Sequence, residues 1–93
     1  MSSSVWELDV TSTFDNGYVA KDLENRRRVR EAILTLTSSS HPQRLGELKD
    51  TPDGRVFVYD IGRKYRMSYC VSYSAKIIQL IRVCDHKTVY GRD

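Results

Sequence analysis

The feature that most constrains this chain is a change of apolar period at Thr51-Pro52-Asp53-Gly54. Before it, Val29, Ala32, Ile33 and Leu36 recur at i, i+3, i+4 and i+7, which lines one face of a helix. After it, Val, Ile, Phe and Tyr recur at about every second position, as in strands with a covered face. The four residues between form a turn, because proline presets φ and glycine permits φ > 0. Helices therefore come first and a run of closely linked strands comes last. That order is α+β, with the helices segregated to one face of an antiparallel sheet.

The remaining segments fit around this switch. Residues 5–11 alternate, with Trp6, Leu8 and Val10 on one side and Val5, Glu7, Asp9 and Thr11 on the other, so a strand with one apolar face is expected. Asp15, Asn16 and Gly17 are cap or turn formers, and a short first helix starts near them and ends around residues 21–23. The second helix spans residues 24–38, and Glu24 with Arg28 and Arg27 with Glu31 are spaced as exposed helix pairs. Arg26, Arg27, Arg28 and Arg30 surround its apolar stripe and read as a solvated face, with contact to ribosomal RNA phosphates as the alternative. Serines 38–40 and Pro42 end the helix, His41 reads as an exposed loop histidine, and the loop runs on to Leu48. Strands follow at residues 55–61, 65–73 and 76–83, with turns at Gly62-Arg63-Lys64 and Ser74-Ala75. The last strand is β-branched on both faces, as a central or doubly covered strand would be. The expected fold is an N-terminal strand, a two-helix hairpin and a three-stranded antiparallel meander. Together these make a four-stranded sheet with helices on one face.

A chain of 93 residues is one domain's worth, so residues 1–93 are expected to form a single domain. No stretch approaches the ~18 apolar residues of a membrane span, and Met-Ser-Ser-Ser-Val-Trp is not the start of a secretory signal. A cytoplasmic location with no membrane partner is the expectation. Cys70 and Cys84 form no Cys-x-x-Cys pair and have no histidine at zinc spacing, so both read as buried or half-buried thiols and no metal is expected. Charge is unevenly distributed. Residues 1–62 carry eight basic and ten acidic side chains, whereas residues 63–93 carry seven basic and two acidic, a net of +5. Such asymmetry points to a polyanion partner, with a merely solubilising basic surface as the alternative.

Three strings in this order of elements resemble the RelE/ParE toxin superfamily. Leu45-Gly46-Glu47-Leu48-Lys49 is similar to that family's Leu-Lys segment. Val58-Tyr59-Asp60-Ile61-Gly62-Arg63-Lys64-Tyr65-Arg66-Met67-Ser68-Tyr69 is similar to its strand, Gly–x–Tyr-Arg turn and aromatic hairpin. Ile81-Arg82-Val83-Cys84-Asp85-His86-Lys87-Thr88-Val89-Tyr90 is similar to its closing His-Arg…Val-Tyr motif. The layout matches over nearly the whole chain, and the specific motifs lie in residues 45–90. The resemblance implies a RelE-like fold and the toxin component of a toxin–antitoxin system. Its activity would be metal-independent endonucleolytic cleavage of mRNA on the ribosome, which inhibits translation. The implied partners are a cognate antitoxin, mRNA and ribosomal RNA, with no small-molecule cofactor. Two other readings stay open: a ParE-like, non-enzymatic inhibitor of DNA gyrase, and a catalytically weakened or inactive RelE-fold binding module.

In the RNA-cutting branch the ribose 2′-hydroxyl attacks the adjacent phosphate, so the site needs a base, positive charge for the developing dianion and an acid for the leaving oxygen. By resemblance, Arg66 is the phosphate-stabilising residue, and its fork of donors suits a phosphate. A cross-strand salt bridge to Asp60 is the alternative. His86 matches the closing histidine and could be acid or base. Lys87 stands where the family usually has arginine, and Tyr90 matches a base-stacking tyrosine. Arg63, Lys64, Arg82 and Lys49 are candidate RNA-backbone contacts. The chain departs from the family at Val58 and Asp60, where potent members carry lysines.

Overall fold

Thr11 joins three elements. Its hydroxyl accepts from the Phe14 amide (3.1 Å), which caps helix α1 (Ser12–Val19), and donates to the Ile81 carbonyl (2.7 Å). It follows strand β1 (Glu7–Val10) directly, and Ile81 lies in the final strand, β5 (Ile77–Asp85). The computed structural model describes residues 6–62 and 65–85, with only the backbone of residues 84 and 85. Helix α2 (Leu23–Ser38) starts at Asp22, whose carboxylate accepts from the Asn25 amide at 2.9 Å. A 3-10 turn (Pro42–Arg44) leads into β2 (Glu47–Thr51), β3 (Gly54–Ile61) and β4 (Tyr65–Ser72). No helix among the described residues is long and apolar enough to cross a membrane.

The sheet has five strands in the order β1-β5-β4-β3-β2. β2, β3, β4 and β5 pair antiparallel in succession, and β1 closes the other edge parallel to β5, with Glu7 opposite Ile77. The extra strand relative to the expected four is β2, which falls where a loop to Leu48 was expected. Its five residues, Glu-Leu-Lys-Asp-Thr, contain one large apolar side chain, and Leu48 is half exposed. No side-chain period therefore announces the strand, and backbone pairing to β3 makes it.

The core lies between the sheet and the helices. Val29, Ala32 and Leu36 are buried on α2, as their spacing requires, against Ile61, Met67, Tyr69, Ile78, Leu80 and Val83. The first helix starts earlier than expected, so Asp15, Asn16 and Gly17 lie inside it. Gly17 is there for contact: a Cβ would sit 2.5 Å from the Val83 carbonyl oxygen, so α1 can rest on β5 only where that carbon is missing. Just before β1, Trp6 is buried and its indole N–H donates to the Ser39 carbonyl at 2.8 Å. Leu8 and Val10, expected on the same side, are each nearly half exposed on this edge strand. Between Ser68 and Tyr69 the register against β5 shifts, so Ile81 is an extra residue there, a β-bulge whose carbonyl the Thr11 hydroxyl satisfies.

Tyr69 fixes the approach to β2. Its buried hydroxyl donates to the Pro42 carbonyl at 2.7 Å, and Gly46 packs against it. A Cβ on Gly46 would meet the Tyr69 hydroxyl and the Val58 carbonyl, each at 2.7 Å. Burial pushes this phenol up to about 12, the Gly46 backbone opposing part of the shift.

Candidate functional site

The face opposite the helices carries the described candidates. Val56 and Val58 are buried there, with Cys70 and Ile81 packed against them, so this face has a small apolar floor of its own. Burial pushes the Cys70 thiol above its ordinary range, away from the reactive thiolate. The side chain of Cys84 lies outside the described residues.

Cross-strand register builds the charged rim. Asp60 lies opposite Arg66 on neighbouring strands, and the Arg66 Nε is 2.7 Å from the Asp60 carboxylate. A cleft of about 440 Å³ opens beside this pair, lined by Arg44, Gly46, Glu47, Val58, Asp60 and Arg66. Lys49 is 3.3 Å from Glu47 on the same strand. Arg82 reaches the turn between β2 and β3, where Nε and Nη2 donate to the two Asp53 carboxylate oxygens at 2.7 and 2.9 Å. The Arg82 hydrogen bonds hold the Asp53 carboxyl below the usual carboxylate range, against the opposing effect of burial.

Arg66, Arg82 and Lys49 therefore all stand on or around this face, and each is matched by a carboxylate from residues 47–60. Two cations of the basic last third, Arg66 and Arg82, are thus paired with carboxylates of the acidic first part. The Arg66–Asp60 salt bridge, given above as the alternative to a phosphate contact, is present. Lys76, also counted in the basic third, sits over the Trp6 ring at 5.1 Å. Arg63, Lys64, His86, Lys87 and Tyr90 lie outside the described residues. Asp53 is the residue that sequence reasoning reads only as a turn former, because 29 residues separate it from Arg82 and no local pattern links them.

Of the arginine run on α2, Arg27, Arg28 and Arg30 form a solvated face, whereas Arg26 is half-buried with its Nε turned inward. Arg27 bonds Glu24 and Glu31 at 2.7 Å each, Arg28 bonds Glu24 at 3.3 Å, and Arg30 donates to the Tyr18 hydroxyl at 2.8 Å. His41 is exposed in its loop. Among the described residues no three His, Cys, Asp or Glu side chains are grouped to hold a metal ion.

No family model matches the sequence, and no curated protein matches it. Solved structures do match in fold. A chain of the archaeal RelE–RelB complex from Pyrococcus horikoshii superposes with a TM-score of 0.69 at 18% identity, covering 96% of this chain and 99% of that one. The isolated Escherichia coli RelE toxin gives 0.70 at 16% identity, covering 86% and 83%. A chain of the toxin–antitoxin complex RelBE2 from Mycobacterium tuberculosis gives 0.61 at 17% identity, covering 87% and 98%. This chain has the fold of the RelE-like toxin superfamily.

Proposed function

We propose that this chain is the toxin of a toxin–antitoxin pair, a metal-independent endoribonuclease that cuts mRNA on the ribosome in the cytoplasm and stops translation. The observation that carries this reading is Arg66, set on the open sheet face at a cleft that Arg44 also lines. Cleavage needs a cation at the scissile phosphate and a group to take the 2′-hydroxyl proton. Arg66 supplies the cation. Asp60 stands where potent relatives carry lysine and supplies a proton acceptor in the same cleft. The 2′-oxygen forms its bond to phosphorus as the bond to the 5′-oxygen breaks, and the leaving oxygen takes a proton from an acid, for which His86 is the candidate. Lys87 adds charge and Tyr90 a stacking surface for a base. Arg63, Lys64, Lys49 and Arg82 contact the RNA backbone.

The partner is an antitoxin whose segment covers the face around Arg66. The P. horikoshii relative is a chain of a RelE–RelB complex. A second reading, a non-enzymatic inhibitor such as a ParE-like gyrase poison, is favoured by one observation: Lys49, Arg66 and Arg82 are each matched by a carboxylate.

Inducible expression in a bacterial host separates the two. The ribonuclease reading expects growth arrest with lost protein synthesis, relieved by Arg66→Ala or Tyr90→Phe. Arrest with intact translation and failing DNA replication would establish the gyrase reading instead.

A further inference from the structure

The Arg82–Asp53 contact brings the two residues closer than a flat sheet would allow. Arg82 lies opposite Ser68, Ser68 opposite Val58, and Asp53 is five residues before Val58 along the β3 side of its hairpin. Two strand spacings and five strand residues in a flat sheet would put the two Cα atoms roughly 19 Å apart. That is beyond the joint reach of an arginine and an aspartate side chain. The bidentate bond therefore requires the β2–β3 hairpin to bend toward the open face until its tip comes within side-chain reach of Arg82 on β5. Two-stranded ribbons have the twist to do this. The turn is stiffened from within: the Thr51 hydroxyl accepts from the Asp53 amide (3.1 Å) and donates to the Gly54 carbonyl (2.9 Å), so the Asp53 carboxylate is presented on an ordered loop. Beneath the curl lie Val56 and Val58, buried on a face that no helix covers.

We propose that the β2–β3 hairpin is a latch held closed over the open face by Asp53, and that a phosphate diester docks by taking Arg82 from that carboxylate. A carboxylate and a phosphate present similar oxygen pairs to a guanidinium fork, so Asp53 occupies Arg82 as an internal stand-in for the ligand. The Asp53 and Arg82 side chains retain about a quarter and a third of their exposure, so an incoming anion can reach the pair from solvent. Exchange of one oxygen pair for another leaves the arginine satisfied throughout and releases the hairpin tip. The latch follows from geometry alone. Its ligand rests on the RNA reading above.

The test has two arms. Amide hydrogen exchange at residues 51–56 reads the latch. Asp53→Asn should accelerate it several-fold relative to the wild type, with the amides of Met67 and Tyr69 unchanged, and equal exchange in both proteins would overturn the latch. Binding of a single-stranded 2′-deoxy oligonucleotide, which lacks the attacking hydroxyl and is not cut, reads the ligand. Asp53→Asn should tighten it by about two- to fivefold at low salt, the worth of an exposed ion pair, and Arg82→Gln should weaken it. In the Arg82→Gln background, Asp53→Asn should have no effect. An equal gain in both backgrounds would make the effect general charge removal and overturn the exchange of partners. No oligonucleotide binding by any variant, with exchange still accelerated, would reject the RNA reading and the phosphate ligand while the latch stands.

Discussion

The Tyr69 hydroxyl donates to the Pro42 carbonyl across 27 residues at 2.7 Å, inside the core, and this bond sets where the chain enters β2. Since β2 contributes Glu47 and Lys49 to the open face, a buried phenol on the helix side positions charges on the other side. Tyr69→Phe keeps the ring and leaves a buried acceptor unmatched. It should cost about 1–3 kcal/mol, read as a lower midpoint at unchanged slope in urea unfolding.

The same phenol gives an alkaline signature. Its native pKa is pushed up to about 12 against an unfolded value of about 10. The unfolded chain therefore releases this proton first, and stability that is complete below pH 10 is lost as pH rises toward 12. Stability measured from pH 9 to 11.5 should fall in the wild type, with a shallower fall in Tyr69→Phe.

Asp53 acts at the other end of the scale. Its folded pKa is lowered by Arg82, so its contribution is present above the ordinary carboxylate value and is lost as pH falls through the native one. Between pH 5 and 2, Asp53→Asn should lose less stability than the wild type. Parallel acid limbs would mean that the bond forms too rarely in solution to matter.

Gly17 tests packing against propensity. Alanine in place of a helix-interior glycine ordinarily gains roughly 1 kcal/mol. Here the new methyl would meet the Val83 carbonyl oxygen at 2.5 Å, and neither backbone can yield cheaply. Gly17→Ala should therefore reverse the usual sign and destabilise by about 1–3 kcal/mol, seen as a lower thermal midpoint.

On the proposed ribonuclease reading, Arg66→Ala should lower cleavage about 10²–10³-fold, the usual effect of removing one donor to a developing oxyanion. Asp60→Asn removes the proton acceptor but leaves the phosphate contact. It should lower turnover and leave oligonucleotide binding intact or tighter. Full activity in Asp60→Asn would move the base to another residue.

What is legible in the sequence is what one element decides for itself. Helix α2 shows in its stripe because Val29, Ala32 and Leu36 must all face the same core, and the Glu24–Arg28 and Arg27–Glu31 pairs follow from its pitch. Strands β3 and β4 show in the alternation that a half-covered sheet imposes, and β5 in its run of β-branched residues. β2 does not, since its stability comes from backbone pairing at an edge. In the candidate site, the Arg66–Asp60 pair is legible because a short turn makes the two residues neighbours. The Arg82–Asp53 bond is not, because it depends on how far a hairpin curls, which no local pattern encodes.

The parallel pairing of β1 with β5 has a consequence for synthesis. Glu7 and Ile77 are register partners, so β1 waits for β5, about 70 residues further along the chain, before it can pair. Contacts of such sequence separation form slowly because loop closure precedes any gain. The Thr11 hydroxyl must likewise find Ile81, 70 residues on, before the bulge in β5 is satisfied. A nascent chain released before β5 thus lacks both Arg82 and the strand that seats β1. The open face, with Arg82 on it, is therefore completed only once β5 has been made.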